Sequence, residues 1–350
     1  MRKLTTIFIY SSFLFVLLSY SLLAADCKKP TMPSDEDWKS WIKQIKIMAL
    51  QEGISQNTIN KELNNVKPAS KILLRDRCQV ESTITLNEYL YYRLGKARII
   101  AGKNLLKKHK KELQLIGDHF SIQPRFIVSI LGLESYYGRN QGNINTIQAV
   151  TTLAFDRRRS EFYKKQLMAA LKIIDNGISS ESLVGSWGGA LGMSQFIPTT
   201  YLDSGYDWNN DGIVDIWNNY EDVFASIANY LTSIDKNPWH YNSTWGREIT
   251  PPNNIHEIYD SFKQSNPKGC GAVKSRSVAK SLNEWQSIGF RTINGNDLPK
   301  RKDLEGRLVA PDGINGRMFL VYSNYKNILY YNCSSYYAIA IGLLSDEIKN

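Results

Sequence analysis

Apolar residues recur at helical spacing through much of the chain. Trp38, Trp41, Ile42, Ile45, Met48 and Ala49 follow i, i+3, i+4 steps that put them on one face, and residues 34–120 as a whole read as helical. Within that region residues 89–115 read as one helix with a lysine-rich outer face, ending near Gly117. Ser121-Ile-Gln-Pro124 opens another helix, because proline suits a first turn, and Gly138 suits its stop. Further helices are expected over 161–175 and 220–234. From about residue 247 the texture changes. Pro251-Pro252, Asn-Gly turns and short β-rich runs at 307–310 and 318–322 predict a small β-subdomain. The apolar stretch Ser335–Ile348 is helix-compatible and is expected to fold back on the main body. The fold class is therefore α+β and mainly α, with segments at 26–120, 121–246, 247–325 and 326–350.

The first residues add a compartment. Arg2 and Lys3 precede an apolar run, and Leu23-Ala24-Ala25 supplies small residues before the polar start at Asp26. This pattern is that of a cleaved export signal over residues 1–25. A membrane anchor is the alternative, and acylation at Cys27 is disfavoured by the acidic residue before it. Four cysteines, at 27, 78, 270 and 333, have no CxxC spacing. In an oxidising compartment they admit three disulfide connectivities, with four free thiols as the alternative; their grouping favours Cys27–Cys78 and Cys270–Cys333. The histidines, at 109, 119, 240 and 256, are scattered, so neither a zinc site nor a histidine triad finds support. The formal charge of +10 suits an anionic polymer. Export and the absence of any recognisable nucleic-acid-binding motif argue against nucleic acid as that polymer.

The segment FIVSILGLESYYGR carries the first candidate for chemistry. On a helix, Glu134 continues the stripe of Ile127, Ile130 and Leu131. A carboxyl on an apolar face is partly desolvated, which raises its pKa and fits it to act as a proton donor. The bland alternative is a helix-end glutamate paired with Arg139 or another arginine. Residues 183–203, LVGSWGGALGMSQFIPTTYLD, combine glycines at 185, 188, 189 and 192 with Ser186 and Gln195 as hydrogen-bonding groups. Trp187 and Phe196 add flat apolar surfaces. Sugar rings call for this mixture of aromatic faces and polar groups.

A third segment, DWNNDGIVDIWN, has the spacing of a calcium loop. Asp207, Asn209 and Asp211 supply oxygens at positions 1, 3 and 5, and Gly212 takes the sharp turn. Ile213 offers a carbonyl and Asp215 a water-mediated contact. Asn218 stands at position 12 in place of the usual bidentate glutamate, which lowers the expected affinity. An Asx-rich turn without an ion is the alternative. Calcium here would be structural, and no cofactor is expected for the chemistry.

With these segments in place, the chain resembles the MltB-type lytic murein transglycosylases from about residue 35 to its end. LGLESYYGRNQG, TLAFDRRRSEFYKKQLMAALKII, GSWGGALGMSQFIPTTY, DWNNDGIVDIW, SIANYL and YYNCSSYYAIAI carry the resemblance. It implies a lysozyme-like core, an extra N-terminal helical domain, an EF-hand-like loop and a small β-subdomain. It also implies cleavage of the β-1,4 bond between N-acetylmuramic acid and N-acetylglucosamine in peptidoglycan, whose carboxylates suit a basic protein. Glu134 would be general acid and then base, and Ser186 and Gln195 would line the cleft. Tyr230, Tyr331 and Asn332 would complete the site. Arg158 and Arg159 would face the groove, with a solvated helix-start cluster as the alternative. Phe162 stands where the family can carry a tyrosine.

No second acid recurs in these motifs. The resemblance therefore implies a non-hydrolytic cleavage in which the muramic C6 hydroxyl closes a 1,6-anhydro ring. A hydrolytic muramidase using Asp156 or Glu161 and a non-catalytic glycan-binding protein are the rival readings. Expected partners are glycan strands and, among proteins, those of cell-wall synthesis or remodelling; the chain is expected to be a monomer.

Overall fold

The computed structural model of the chain describes residues 30–78, 84–234 and 237–349. Six helices come first: Asp35–Gln51, Gln56–Leu63, Ser70–Arg77, Leu86–Arg93, Lys96–Lys108 and Lys110–His119. Polar caps set several of their starts. The Ser34 hydroxyl accepts from the Asp37 amide, three acids fill the first turn that follows, and Thr85 and Glu88 form a reciprocal capping box. Residues 89–115 are not one helix. The rod breaks at Leu94-Gly95, where Gly95 becomes a cap, and again at His109, which ends one helix and starts the next.

The middle of the chain holds Pro124–Ser135, Thr146–Phe155, Ser160–Asp175, Pro198–Ser204 and Tyr220–Thr232. Pro124 occupies the first turn of its helix. The helix stops three residues before Gly138, because Tyr136 and Tyr137 already take left-handed backbone angles (φ 51° and 60°). Such angles cost a non-glycine residue about 1 kcal/mol each. Specific contacts hold both residues there. The Tyr137 hydroxyl donates to the Arg98 carbonyl at 2.8 Å, its own carbonyl accepts from Tyr220 at 2.9 Å, and Arg98 and Arg139 both lie over the Tyr136 ring.

An antiparallel five-stranded sheet follows, ordered Lys280–Ser281, Glu305–Val309, Met318–Val321, Gly246–Thr250, Arg291–Thr292. Its central strand Met318–Val321 is buried at every position. Strand alternation explains this: Phe319 and Val321 enter the main core, while Met318 and Leu320 enter a smaller one with Trp285, Phe290 and Leu308. The main core is continuous from the N-terminal helices, through the middle of the chain, to the last two helices, Ser323–Tyr331 and Ser335–Ile348. The final helix crosses Pro124–Ser135 and is tied at Asp346, which pairs with Arg125 at 2.6 Å and accepts from the Trp245 indole at 2.9 Å. A disulfide joins Cys270 to Cys333, with Cα atoms 6.3 Å apart. Cys78 is also disulfide-bonded, and the expected partner Cys27 lies outside the described residues, as do residues 1–25.

Candidate active site

Glu134 stands in the last turn of the Pro124–Ser135 helix, whose residues from Phe126 to Leu133 are all buried. The residue keeps some contact with solvent, while its carboxyl is enclosed by protein. Burial pushes its pKa up to about 7 from an ordinary 4.5. Its place near the negative end of the helix dipole acts in the same direction. Two groups oppose the rise: a hydrogen bond from Tyr337 and the positive charge of Arg93. Among the described residues no carboxylate contributes to the shift.

Tyr337 was not evident as a site residue. It is buried in the Ser335–Ile348 helix and donates to Glu134 Oε1 at 2.5 Å. Its phenol is held far above the ordinary range by burial and by the Glu134 charge, so it remains a donor. The segment YYAIAI contains it, but nothing in that segment singles out the second tyrosine. Replacing Tyr337 with Phe removes a donor that favours the carboxylate. The pKa of Glu134 then rises further, and the alkaline limb of kcat/KM against pH moves upward by about half a unit to one unit. A pH–rate profile measures this; an unmoved limb would contradict the contact.

The Gly-rich segment forms a tight turn beside this helix. Gly185 bridges to Leu191 and Leu191 to Phe196, so Ser186 and Gln195 hang from one small antiparallel unit. Two of its glycines are sterically required: a Cβ at Gly185 would lie 1.9 Å from the Ala190 carbonyl oxygen, and one at Gly192 (φ 57°) 2.5 Å from that of Ile216. The Ser186 hydroxyl accepts from the Ala190 amide at 3.1 Å. The Gln195 side-chain amide donates to the carbonyls of Gln141 and Gly192 at 3.0 and 2.8 Å, which leaves its Oε1 as a free acceptor.

Aromatic rings build the adjoining wall. Phe196, Tyr230 and Tyr331 contact one another with ring centroids 5.0–5.7 Å apart. The Tyr331 hydroxyl donates to Ser194 and that of Tyr230 to Tyr330, both at 2.6 Å. Burial and then Glu134 raise the Tyr331 phenol well above its ordinary value, which places its ring near the acid. Asn332 follows in extended backbone at the end of the Ser323–Tyr331 helix, exposed and without a side-chain hydrogen bond among the described residues. The Cys270–Cys333 bridge fastens the next residue.

Other expected residues lie elsewhere or have different partners. Glu134 forms no ion pair with Arg139, whose guanidinium stacks on Tyr136; Arg93 supplies the nearby positive charge. Arg158 and Arg159 are not a simple solvated cluster. Both reach Asp76, which is buried in the Ser70–Arg77 helix, with Arg158 at 2.8 Å, and both side chains keep roughly half their exposure. Phe162 is exposed. Asp156 pairs with Arg77 and exposed Glu161 with Lys164, each at 2.8 Å. In the acidic loop, Asp207 accepts from the amides of Asp211 and Gly212, and Asn209 from that of Asp211. Asp211 accepts from Ile213, and Asp215 from Trp217 and Asn218. Among the described residues no three His, Cys, Asp or Glu side chains converge on one point to hold a metal ion.

A family model, the transglycosylase SLT domain, matches residues 37–346. The chain belongs to the SLT transglycosylase family. A relative in Escherichia coli K12, membrane-bound lytic murein transglycosylase B, is 34% identical over 114 residues, covering 32% of this chain and 31% of that protein. The match thus spans about a third of the length of that curated relative. Among solved structures, SltB3 from Pseudomonas aeruginosa in complex with NAG-anhNAM-pentapeptide is 35% identical, with a TM-score of 0.81 over 89% of this chain and 80% of that one. Escherichia coli Slt35 in complex with bulgecin A shares the fold at 21% identity, with a TM-score of 0.70 over 91% and 95% of the two chains. Slt35 has also been solved in complex with calcium. The fold class expected of this SLT family member, mainly helical with a lysozyme-like core, is the one observed. Among its described residues no helix is long and apolar enough to cross a membrane.

Proposed function

We propose that the protein is a lytic transglycosylase that cleaves the β-1,4 bond between N-acetylmuramic acid and N-acetylglucosamine in peptidoglycan, with Glu134 as its one acid and base. The observation that carries this reading is an enclosed carboxyl whose pKa burial pushes up to about 7 and on which no second carboxylate acts among the described residues. Inverting and retaining hydrolases need a second acid to direct water or attack carbon. The two acids weighed for that task are already engaged in ion pairs, Asp156 with Arg77 and Glu161 with Lys164.

In the first step protonated Glu134 donates to the glycosidic oxygen as the bond to muramic C1 breaks. The muramic acetamide, held by acceptors and donors such as Gln195 and Asn332, stabilises the positive centre. Glu134, now ionised, takes the proton from the C6 hydroxyl as O6 bonds to C1 and closes the 1,6-anhydro ring. An intramolecular hydroxyl has an effective concentration far above that of water in an enclosed site. Tyr337 holds the carboxyl in place through both steps. Phe196, Tyr230 and Tyr331 supply the ring-facing surface, with Ser186 at the rim. Arg158 and Arg159 remain available to substrate carboxylates on their exposed sides. Digestion in water labelled with oxygen-18 tests the route: products free of label are expected, and label at the new muramic ends would assign hydrolysis.

Export to the periplasm, by a signal at residues 1–25, fits this substrate. We also propose a structural calcium at the 207–218 loop, whose carboxylates are held by backbone amides and would have to turn inward together to take the ion. Asp207, Asp211, Asp215 and the neighbouring Asp222 form no ion pair among the described residues, and burial, together with Asp207 and Asp211, pushes the Asp222 pKa up. Asp207, Asn209, Asp211, the Ile213 carbonyl, Asp215 and Asn218 would hold the ion, which would neutralise this charge without entering the reaction. Millimolar calcium is then expected to raise Tm by about 2–4 °C, with no rise in Asp211→Asn. Equal melting curves with calcium and with chelator would remove the ion from the account.

A further inference from the structure

Apart from the cleft, a cavity of about 710 Å³ opens where the sheet meets the main body. None of Glu134, Ser186, Gln195, Tyr230, Tyr331, Asn332 or Tyr337 lines it. Arg276 does, and is only 7% exposed. Its Nε donates to the Val273 carbonyl at 3.2 Å, and its two terminal nitrogens make no hydrogen bond or ion pair among the described residues. Arg307 lines the same cavity, donates to the Ser277 carbonyl at 2.7 Å, and likewise has no anionic partner. Burial, and then the Arg307 charge, pushes the Arg276 pKa down to about 10. Neither guanidinium is paired with the acids of the cavity, Asp303 and Glu305, and two such cations close together in a partly desolvated recess favour an anionic ligand.

The remaining walls narrow the kind of anion. Lys326 adds a third cation, while Arg301 is neutralised by Asp303. Trp239 and Tyr322 provide apolar surface, and Glu305, which has no ion pair among the described residues, offers a carboxylate to a ligand amine. The volume exceeds what a single small oxyanion fills. A peptide with carboxylates at one end and an amine at the other matches cations, aromatic walls and acid together.

We infer that this cavity is a second binding site, one that takes a carboxylate-bearing peptide such as the stem peptide of the same polymer. The identity of the peptide rests on the functional reading above. Lys326 lies on the Ser323–Tyr331 helix, which ends at Tyr331 and Asn332, and Cys270–Cys333 ties that end to the short helix preceding Arg276. An occupied cavity thus shares a rigid mount with one wall of the cleft and would hold a peptide-bearing strand while its glycan is cut.

Calorimetric titration of the full chain with the synthetic peptide Ala-γ-D-Glu-Lys-D-Ala tests this, followed also by tryptophan fluorescence through Trp239. Saturable binding is expected, weakened at least tenfold in Arg276→Gln and in Lys326→Gln, and lost when the peptide's carboxylates are amidated. Both variants should cleave peptide-free glycan strands at the wild-type rate and show a raised KM on intact peptidoglycan. Absence of peptide binding, binding unchanged in both variants, or inorganic phosphate binding in place of the peptide would each overturn the inference. Wild-type cleavage of peptide-free strands would continue in every one of those cases; its absence would instead count against the functional reading.

Discussion

Glu134→Gln is expected to lower the cleavage rate by roughly 10²–10⁴-fold while the protein still folds and still binds glycan, because the amide keeps the shape of the acid but cannot give up its proton. The same change should stabilise the protein at alkaline pH. The pKa is about 7 when folded and 4.5 as an ordinary carboxyl, so between these values the unfolded chain has released a proton that the folded chain still holds. Stability from this group is therefore complete below about pH 4.5 and is lost as pH rises through 7. The loss by pH 8 is on the order of 3 kcal/mol, a cost that glutamine does not incur. Thermal melts of the two proteins at pH 5 and pH 8 check the sign: a similar Tm at the lower pH and a higher Tm for the variant at the upper one. A variant less stable at pH 8 would mean that the carboxyl is not enclosed as described.

The second large effect is structural. Gly342 sits where the final helix crosses Trp245, and a Cβ there would fall 2.1 Å from the indole. Trp245 is 1% exposed, its indole nitrogen donates to Asp346, and its backbone carbonyl accepts from the Tyr322 amide, so it has no room to retreat. Gly342→Val should cost about 3 kcal/mol or more and lower Tm by roughly 4–6 °C. Because the same helix carries Tyr337, activity in the surviving folded fraction should fall as well. An unchanged melting curve would contradict the packing of this helix.

Glu134 and Tyr337 show how much the sequence disclosed. Glu134 could be found because Ile127, Ile130 and Leu131 precede it at helical spacing, a purely local pattern. Tyr337 could not, since its hydroxyl reaches the acid only after two helices 203 residues apart in contact have crossed. Asp76 was hidden for the same reason: it is one acid on a charged helix until Arg158 and Arg159 arrive. Short breaks, two residues at Leu94-Gly95 and one at His109, left the apolar spacing nearly in phase, so three helices read as one over 89–115. The β region was legible from its turns and from residues 318–322. Its partners Lys280–Ser281 and Arg291–Thr292 are two residues long, too short for any alternation to register.

In the proposed reaction one carboxyl suffices because the sugar supplies its own nucleophile. Mass spectrometry of the products from purified peptidoglycan, digested with the wild-type protein and with Glu134→Gln, tests it most directly. Muropeptides one water lighter than hydrolytic products, ending in 1,6-anhydro-muramic acid and absent from the variant digest, are expected. Reducing muramic ends from the wild-type protein, or anhydro ends from the variant, would contradict it.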